Sequence, residues 1–457
     1  MLFRKFHIES LDYYKKWLVL GVIIGVFAGV ASILFYYATE ASEYFFMHYV
    51  MGYNRPLPLG EGGGLSYAFA ILRPYLIPVA IVLGALASAW LVYRFAPETE
   101  GHGTDAVIKS YHEGKPIRAR ASIIKFVSAS LLIGSGGSAG REGPIAQISA
   151  SAISNIFKRV KLSKRDRQII LVVSIGAAIG SIFKSPFGGA LFGAEVLYKR
   201  DIEGDVIFPA FVASTVGFIV YGAFVNYLPM FGINALSAYA QTVIYTPLAI
   251  LGFVLLGVVS GVFAKVYVKI FYLIHKKIGE LKMSRYFKPA LGAVGTAAIA
   301  LLFPEVMGVG YGWVQLIISG RLATLPDLLG LPALLFVLAL VFAKILATSF
   351  SIGSGGSGGV YAPGIFIGAS VGLFTFLLLN LVNPQAFSAA ILAPFVIVGM
   401  LSLFGAASKA PIAVAIMVVE MTGSILVIPV AMVSIAIAYA LSGSDTIYIS
   451  QKERRRA

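Results

Sequence analysis

Glu142 is the residue whose setting most clearly calls for chemistry. It lies in "GSGGSAGREGP" (134–144), a run of glycine, serine and alanine between apolar stretches. A carboxylate in apolar surroundings is expensive, and within a membrane such a group marks a functional site by default. There it can take up and release a proton and compete with anions for hydrogen-bond donors. The structural alternative is a carboxylate that caps a helix. Glu195, in "FKSPFGGALFGAEV" (183–196), and Glu420, in "ASKAPIAVAIMVVEM" (407–421), are matched to each other. That symmetry favours a role at helix ends over proton conduction, with Glu195 kept as a candidate for an inner proton path. Lys125 and Lys344 are matched as well. For these, ion pairing or a stem that snorkels to the interface is favoured over anion coordination. His102, in "GHGTD" (101–105), carries an imidazole that can donate to an anion or titrate near neutral pH, or can be a satisfied core histidine.

These residues belong to a repeat. "KFVSASLLIGSGGSAGREGP" (125–144) returns as "KILATSFSIGSGGSGGVYAP" (344–363), an offset of 353 − 134 = 219, with Tyr361 at the place of Glu142. The Lys184–Pro186–Glu195 motif returns as Lys409–Pro411–Glu420, an offset of 411 − 186 = 225. Two motifs in the same order imply two homologous halves, about 17–226 and 246–450, with the seam in 227–246. Transporters are often built from such halves, frequently inverted across the membrane with the binding site between them. Glycine-rich backbone cannot face lipid, so each run must be buried in protein or line an aqueous cavity. Pro144 and Pro363 suit the first turn of a helix. Each passage therefore reads as a loop that opens a buried helix. A helix start offers free N–H donors and partial positive charge. Two starts aimed at one place make an anion site that needs no full cation. Close helix packing is the other use of such glycines.

Composition fixes the solvent. Of 457 residues, 58% are hydrophobic and 12% charged, too few to make a polar skin; the mean hydropathy is +0.86. The expected fold is an all-α polytopic membrane protein with broken helices, a single transmembrane domain over 1–457. Spans of about 20 apolar residues are visible at 17–37, 75–93, 206–225 and 248–263. No cleavable signal and no soluble regulatory domain is legible. The net charge of +15 sits between apolar runs, at 4–16, 109–120, 158–167, 275–288 and 452–456. Those loops and both termini are expected to be cytoplasmic, facing anionic headgroups rather than nucleic acid.

The absence of cysteine removes disulfides, thiolate metal sites and thiol catalysis. No metal, cofactor or catalytic residue is expected. An intramembrane hydrolase would need a Ser–His pair, for which Ser138 and His102 are the candidates, and would leave the glycine repeat unexplained. A cation carrier would need converging carboxylates or carbonyls, whereas helix starts point to anions.

"GREGP" (140–144) resembles the glutamate-bearing signature of the CLC family of chloride channels and chloride/proton exchangers. "GGVYAP" (358–363) resembles its second-half signature, with Tyr361 where the family usually has Phe. "KSPFGGALFGAEV", "EMTG" and "SGSDTIYIS" fit in the same order. The resemblance implies chloride and proton transport, and a homodimer with one pathway per subunit in the cell membrane. It also implies Glu142 as the gating carboxylate, backbone N–H groups around Gly143, Val360 and Tyr361 at the anion, and the Tyr448 hydroxyl on the inner side. The chain departs from the family twice. His102 replaces the serine of the first signature, and Val196 stands where exchangers often carry an inner proton-transfer glutamate. An exchanger is expected, with an uncoupled, voltage- or pH-gated channel as the alternative.

Overall fold

The computed structural model describes residues 11–64, 67, 69–158, 160–232, 238–321 and 330–455. The ends of the first and last basic segments, Arg4, Lys5 and Arg456, lie outside the described residues, as do 233–237 of the seam. The first half runs α1 (Tyr13–Glu43), α2 (Ile77–Phe95), α3 (Thr104–Glu113), α4 (Ala119–Gly134), α5 (Glu142–Phe157), α6 (Lys164–Ile182), α7 (Pro186–Glu195) and α8 (Gly204–Phe224). After the short α9 (Ala238–Val243) come α10 (Pro247–Glu280), α11 (Lys288–Leu302), α12 (Tyr311–Ile318), α13 (Ala333–Gly353), α14 (Tyr361–Val382), α15 (Leu392–Ser408), α16 (Pro411–Thr422) and α17 (Ile428–Ser442). Among the described residues, extended pairing is confined to isolated bridges.

Eight of the described helical segments are long and apolar enough to cross a membrane, including the four runs read from sequence. Their apolar residues do not all face inward. Leu18, Val22, Val26, Val30 and Leu34 form an exposed ridge along α1, and Leu248, Leu251, Val258 and Val262 lie exposed along α10. Such apolar surface suits hydrocarbon rather than water. By contrast, α15 is almost wholly buried. α1 packs closely on α8 through Gly21, Gly25 and Gly29, because a Cβ at Gly25 would lie 2.5 Å from the Ala213 carbonyl oxygen.

The basic segments gather at one end. Lys16 pairs with Asp166 at 2.8 Å, Arg165 with Glu203 and Asp205, and Arg455 with the same two carboxylates. Lys109, Arg118, His275 and Ile449 line one shared cavity at that end.

The halves meet about a two-fold relationship. Gly140 and Gly359, equivalent at the offset of 219, exchange both N–H···O bonds at 2.7 Å in an antiparallel bridge. The chains therefore run in opposite directions there, and two residues later each enters its helix, α5 or α14. Both helices begin before the prolines, so Glu142 and Tyr361 take the first helical position and Pro144 and Pro363 the third. Lys184 and Lys409, at the 225 offset, are among the described residues the two non-glycine positions with positive φ, 57° and 55°. Each turns the chain sharply into the proline-led helix that follows, α7 or α16.

Candidate functional site

Glu142 leaves the start of α5 and crosses to the start of α14. Its Oε2 accepts from the Ala362 N–H at 3.4 Å, and its Oε1 accepts from the Tyr311 hydroxyl at 2.5 Å. The residue is 1% exposed. A carboxylate thus lies where the partial positive charge of α14 is greatest. The neighbouring Arg141 points elsewhere, paired with Glu61 and near Glu40, with Tyr36 and Tyr311 rings on its faces.

Tyr311 was not singled out from sequence. It opens α12 after "PEVMGVG" (304–310), which the structure aligns with "PETEGHG" (97–103) before α3, an offset of 308 − 101 = 207. Gly101 and Gly308 have φ of 75° and 61°, and Gly103 and Gly310 have 86° and 84°. This third repeat supplied the missing signal: Tyr311 is the counterpart of Thr104.

Lys125 and Lys344 stabilise these paired loops. Lys125 Nζ donates to the Thr99 and Gly101 carbonyls at 3.0 and 2.6 Å. Lys344 Nζ donates to those of Val306 and Gly308 at 2.9 and 3.3 Å. Both are fully buried. The expected ion pair or snorkelling stem is not what forms, because two carbonyls at each loop already satisfy the buried ammonium.

Below the glycine bridge, the 101–104 loop presses on the start of α5. A Cβ at Gly143 would lie 1.8 Å from the His102 carbonyl oxygen, so only glycine fits there. The His102 ring sits 5.3 Å from that of Tyr448 and 6.4 Å from that of Phe271. It is 7% exposed, and its Nδ1 has no hydrogen-bond partner. Tyr448 is buried, with its hydroxyl toward the Thr104 side chain and its ring 6.3 Å from Phe192. A cavity of about 710 Å³ opens from His102 toward the basic end, walled by Asp105, Phe271, Tyr272 and His275.

Tyr361 does not offer its hydroxyl to this space. The ring is packed 4.4 Å from Phe183 and 4.5 Å from Phe404, and the hydroxyl reaches the Met417 sulfur at 3.7 Å. The Val360 carbonyl accepts from the Tyr267 hydroxyl at 3.1 Å. The N–H groups of Val360 and Tyr361 open α14 beside Glu142.

Glu195 and Glu420 cap each other's neighbourhoods across the two halves. Glu195 accepts from the Ile412 and Ala413 N–H groups at 3.2 and 2.7 Å, at the start of α16. Glu420 accepts from those of Phe187 and Gly188 at 3.2 and 2.8 Å, at the start of α7, and from the Ser185 hydroxyl. Both oxygens of Glu195 are thus engaged in capping. Val196 beside it is fully buried, and its carbonyl accepts from Gln451. Ser138 and His102 are not brought together as a nucleophile and base: the Ser138 hydroxyl pairs with Thr348 at 3.0 Å.

The family model described as voltage gated chloride channel matches residues 84–443. An uncharacterized protein of Methanocaldococcus jannaschii is 28% identical over 399 residues, 85% of this chain and 93% of the relative. The voltage-gated ClC-type chloride channel ClcB of Salmonella typhi is 28% identical over 443 residues, 94% of this chain and 97% of the relative. Among solved structures, a slow cyanobacterial Cl⁻/H⁺ antiporter aligns with a TM-score of 0.74 at 21% identity, covering 94% of this chain and 96% of its own. A CLC-type fluoride/proton antiporter aligns with a TM-score of 0.75 at 19% identity, covering 96% and 98%. At those identities the likeness to the antiporters is one of fold. The chain belongs to the voltage-gated chloride channel (CLC) family of membrane anion transport proteins.

Proposed function

We propose that this protein exchanges chloride for protons across the cell membrane, with Glu142 as the gate. The observation that carries the reading is the Glu142 carboxylate at the start of α14, on the Ala362 N–H and the Tyr311 hydroxyl. A carboxylate there occupies the place in which a small anion would be held. Protonation removes its charge, releases it from the helix start and admits the anion. The starts of α7 and α16 are already filled by Glu420 and Glu195. This supports Glu142 as the displaceable carboxylate, and a capping role for Glu195 over the inner proton path. Chloride is bound by the N–H groups of Gly143, Val360 and Tyr361 and, on the inner side, by the Tyr448 hydroxyl and by His102 in the tautomer that carries its proton on Nδ1. The unpartnered state of that buried nitrogen supports its inclusion.

The basic end, with both termini, faces the cytoplasm, as the excess of Lys and Arg there supports. The chain is one transmembrane domain of two halves, about 17–226 and 246–450, and pairs as a homodimer with a pathway in each subunit. One observation favours a second mode. Val196, fully buried and apolar, offers no inner proton acceptor, which suits an uncoupled chloride channel.

The test is the reversal potential of purified protein in liposomes under opposed chloride and proton gradients. An exchanger reverses at a potential set by both gradients. Reversal at the chloride potential alone assigns the channel mode.

A further inference from the structure

We propose that the chain binds one anionic phospholipid in a basic pocket at the turn between α5 and α6. The pocket encloses about 400 Å³ at the basic end of the molecule. Lys115, Lys158, Lys164 and Arg167 form its rim. Among the described residues, no aspartate or glutamate lines it, whereas the larger cavity nearby carries Glu98, Glu100, Asp105 and Glu113. Lys115 has an ion-pair partner, Glu113 at 3.0 Å. Lys158 donates to the neutral Asn155 at 2.5 Å, and Lys158, Lys164 and Arg167 are all exposed. Lys158, Lys164 and Arg167 are therefore a concentration of positive charge with no ion pair among the described residues, whereas Lys115 is balanced by Glu113.

The floor selects the occupant. Phe157, Leu162, Ile170 and Leu171 line it and are each less than one-tenth exposed. A free phosphate would satisfy the rim and leave the floor against water. A phospholipid carries a phosphate for the rim and acyl carbon for the floor, and basic pockets between membrane helices on the cytoplasmic side suit such headgroups. The turn is shaped to hold both parts, because Val160 and Leu162 point inward while Lys158, Lys161 and Lys164 point out. The same lipid would anchor the end of α5 opposite Glu142, 16 residues or about 24 Å along the helix. That consequence rests on the proposed gating role; the binding does not.

Native mass spectrometry of the purified protein, released from nanodiscs holding equal phosphatidylglycerol and phosphatidylcholine, tests the binding. The parent retains phosphatidylglycerol in preference to phosphatidylcholine. Lys164→Gln with Arg167→Gln lowers that preference about thirtyfold, at about 1 kcal/mol for each cation removed. Lys164→Arg with Arg167→Lys restores it. Inorganic phosphate at millimolar concentration does not displace the lipid. Equal retention of the two lipids by the parent, which requires no variant to fold, overturns the proposal. So does an unchanged preference in the neutralised variant, and displacement by phosphate would reassign the pocket to small anions. Chloride flux measured on the same samples reports separately on the gate.

Discussion

The Tyr311 hydroxyl holds Oε1 of Glu142 at 2.5 Å, although 169 residues separate them and they come from different halves of the chain. A hydrogen bond to a buried carboxylate contributes about 1.5–3 kcal/mol. Tyr311→Phe removes it from the state in which the carboxylate blocks the pathway. The expected outcome is a rise of about tenfold in apparent chloride affinity with the fold retained, read by calorimetric titration at neutral pH. Unchanged affinity would remove Tyr311 from the gate.

Glu142→Gln fixes the side chain in a form equivalent to the protonated carboxylate. Chloride efflux from liposomes should persist, lose its dependence on pH and carry no protons. A variant whose pH profile matches the parent's would rule out the gating role.

Tyr448→Phe keeps the ring against His102 and deletes the hydroxyl. Chloride binding should weaken about tenfold, as expected for one hydrogen bond to a charged partner. Calorimetry on folded protein is the check, and equal affinity would exclude the hydroxyl from the site.

Glu195→Ala and Glu420→Ala each strip a carboxylate from two N–H groups at a helix start. Each should lower stability by about 1–2 kcal/mol, seen as a lower unfolding midpoint, with the pH profile of transport preserved. A lost pH response in Glu195→Ala alone would return Glu195 to the proton path.

The broad architecture was legible because two constraints write themselves into composition. Lipid demands long apolar runs, and buried irregular backbone demands glycine, so the spans and the 219 and 225 offsets stood out. Tyr311 was not legible. In "PETEGHGTD" and "PEVMGVGYG" the identical pairs are Pro97 with Pro304, Glu98 with Glu305, Gly101 with Gly308 and Gly103 with Gly310. The proline and glycine pairs serve the turn and leave its neighbours free to differ, so Thr104 and Tyr311 occupy equivalent places with different chemistry. The lysine contacts were also hidden, because carbonyl acceptors belong to the backbone and leave no trace in residue type. His102 marked its place by spacing, but only coordinates reveal a nitrogen without a partner.

The reciprocal caps of Glu195 and Glu420 also set a timetable for biogenesis. The start of α16 lies 217 residues beyond Glu195. At ribosomal speeds of roughly 5–20 residues per second, the first half waits on the order of 10–40 s for the groups that Glu195 will cap. During that interval α7 has neither its own cap nor its partner helix, and its glycine-lined flank is open. The caps of each half are therefore complete only when the other half is present. A chain cut in the 227–246 segment should yield fragments that become protease-resistant only when synthesised together.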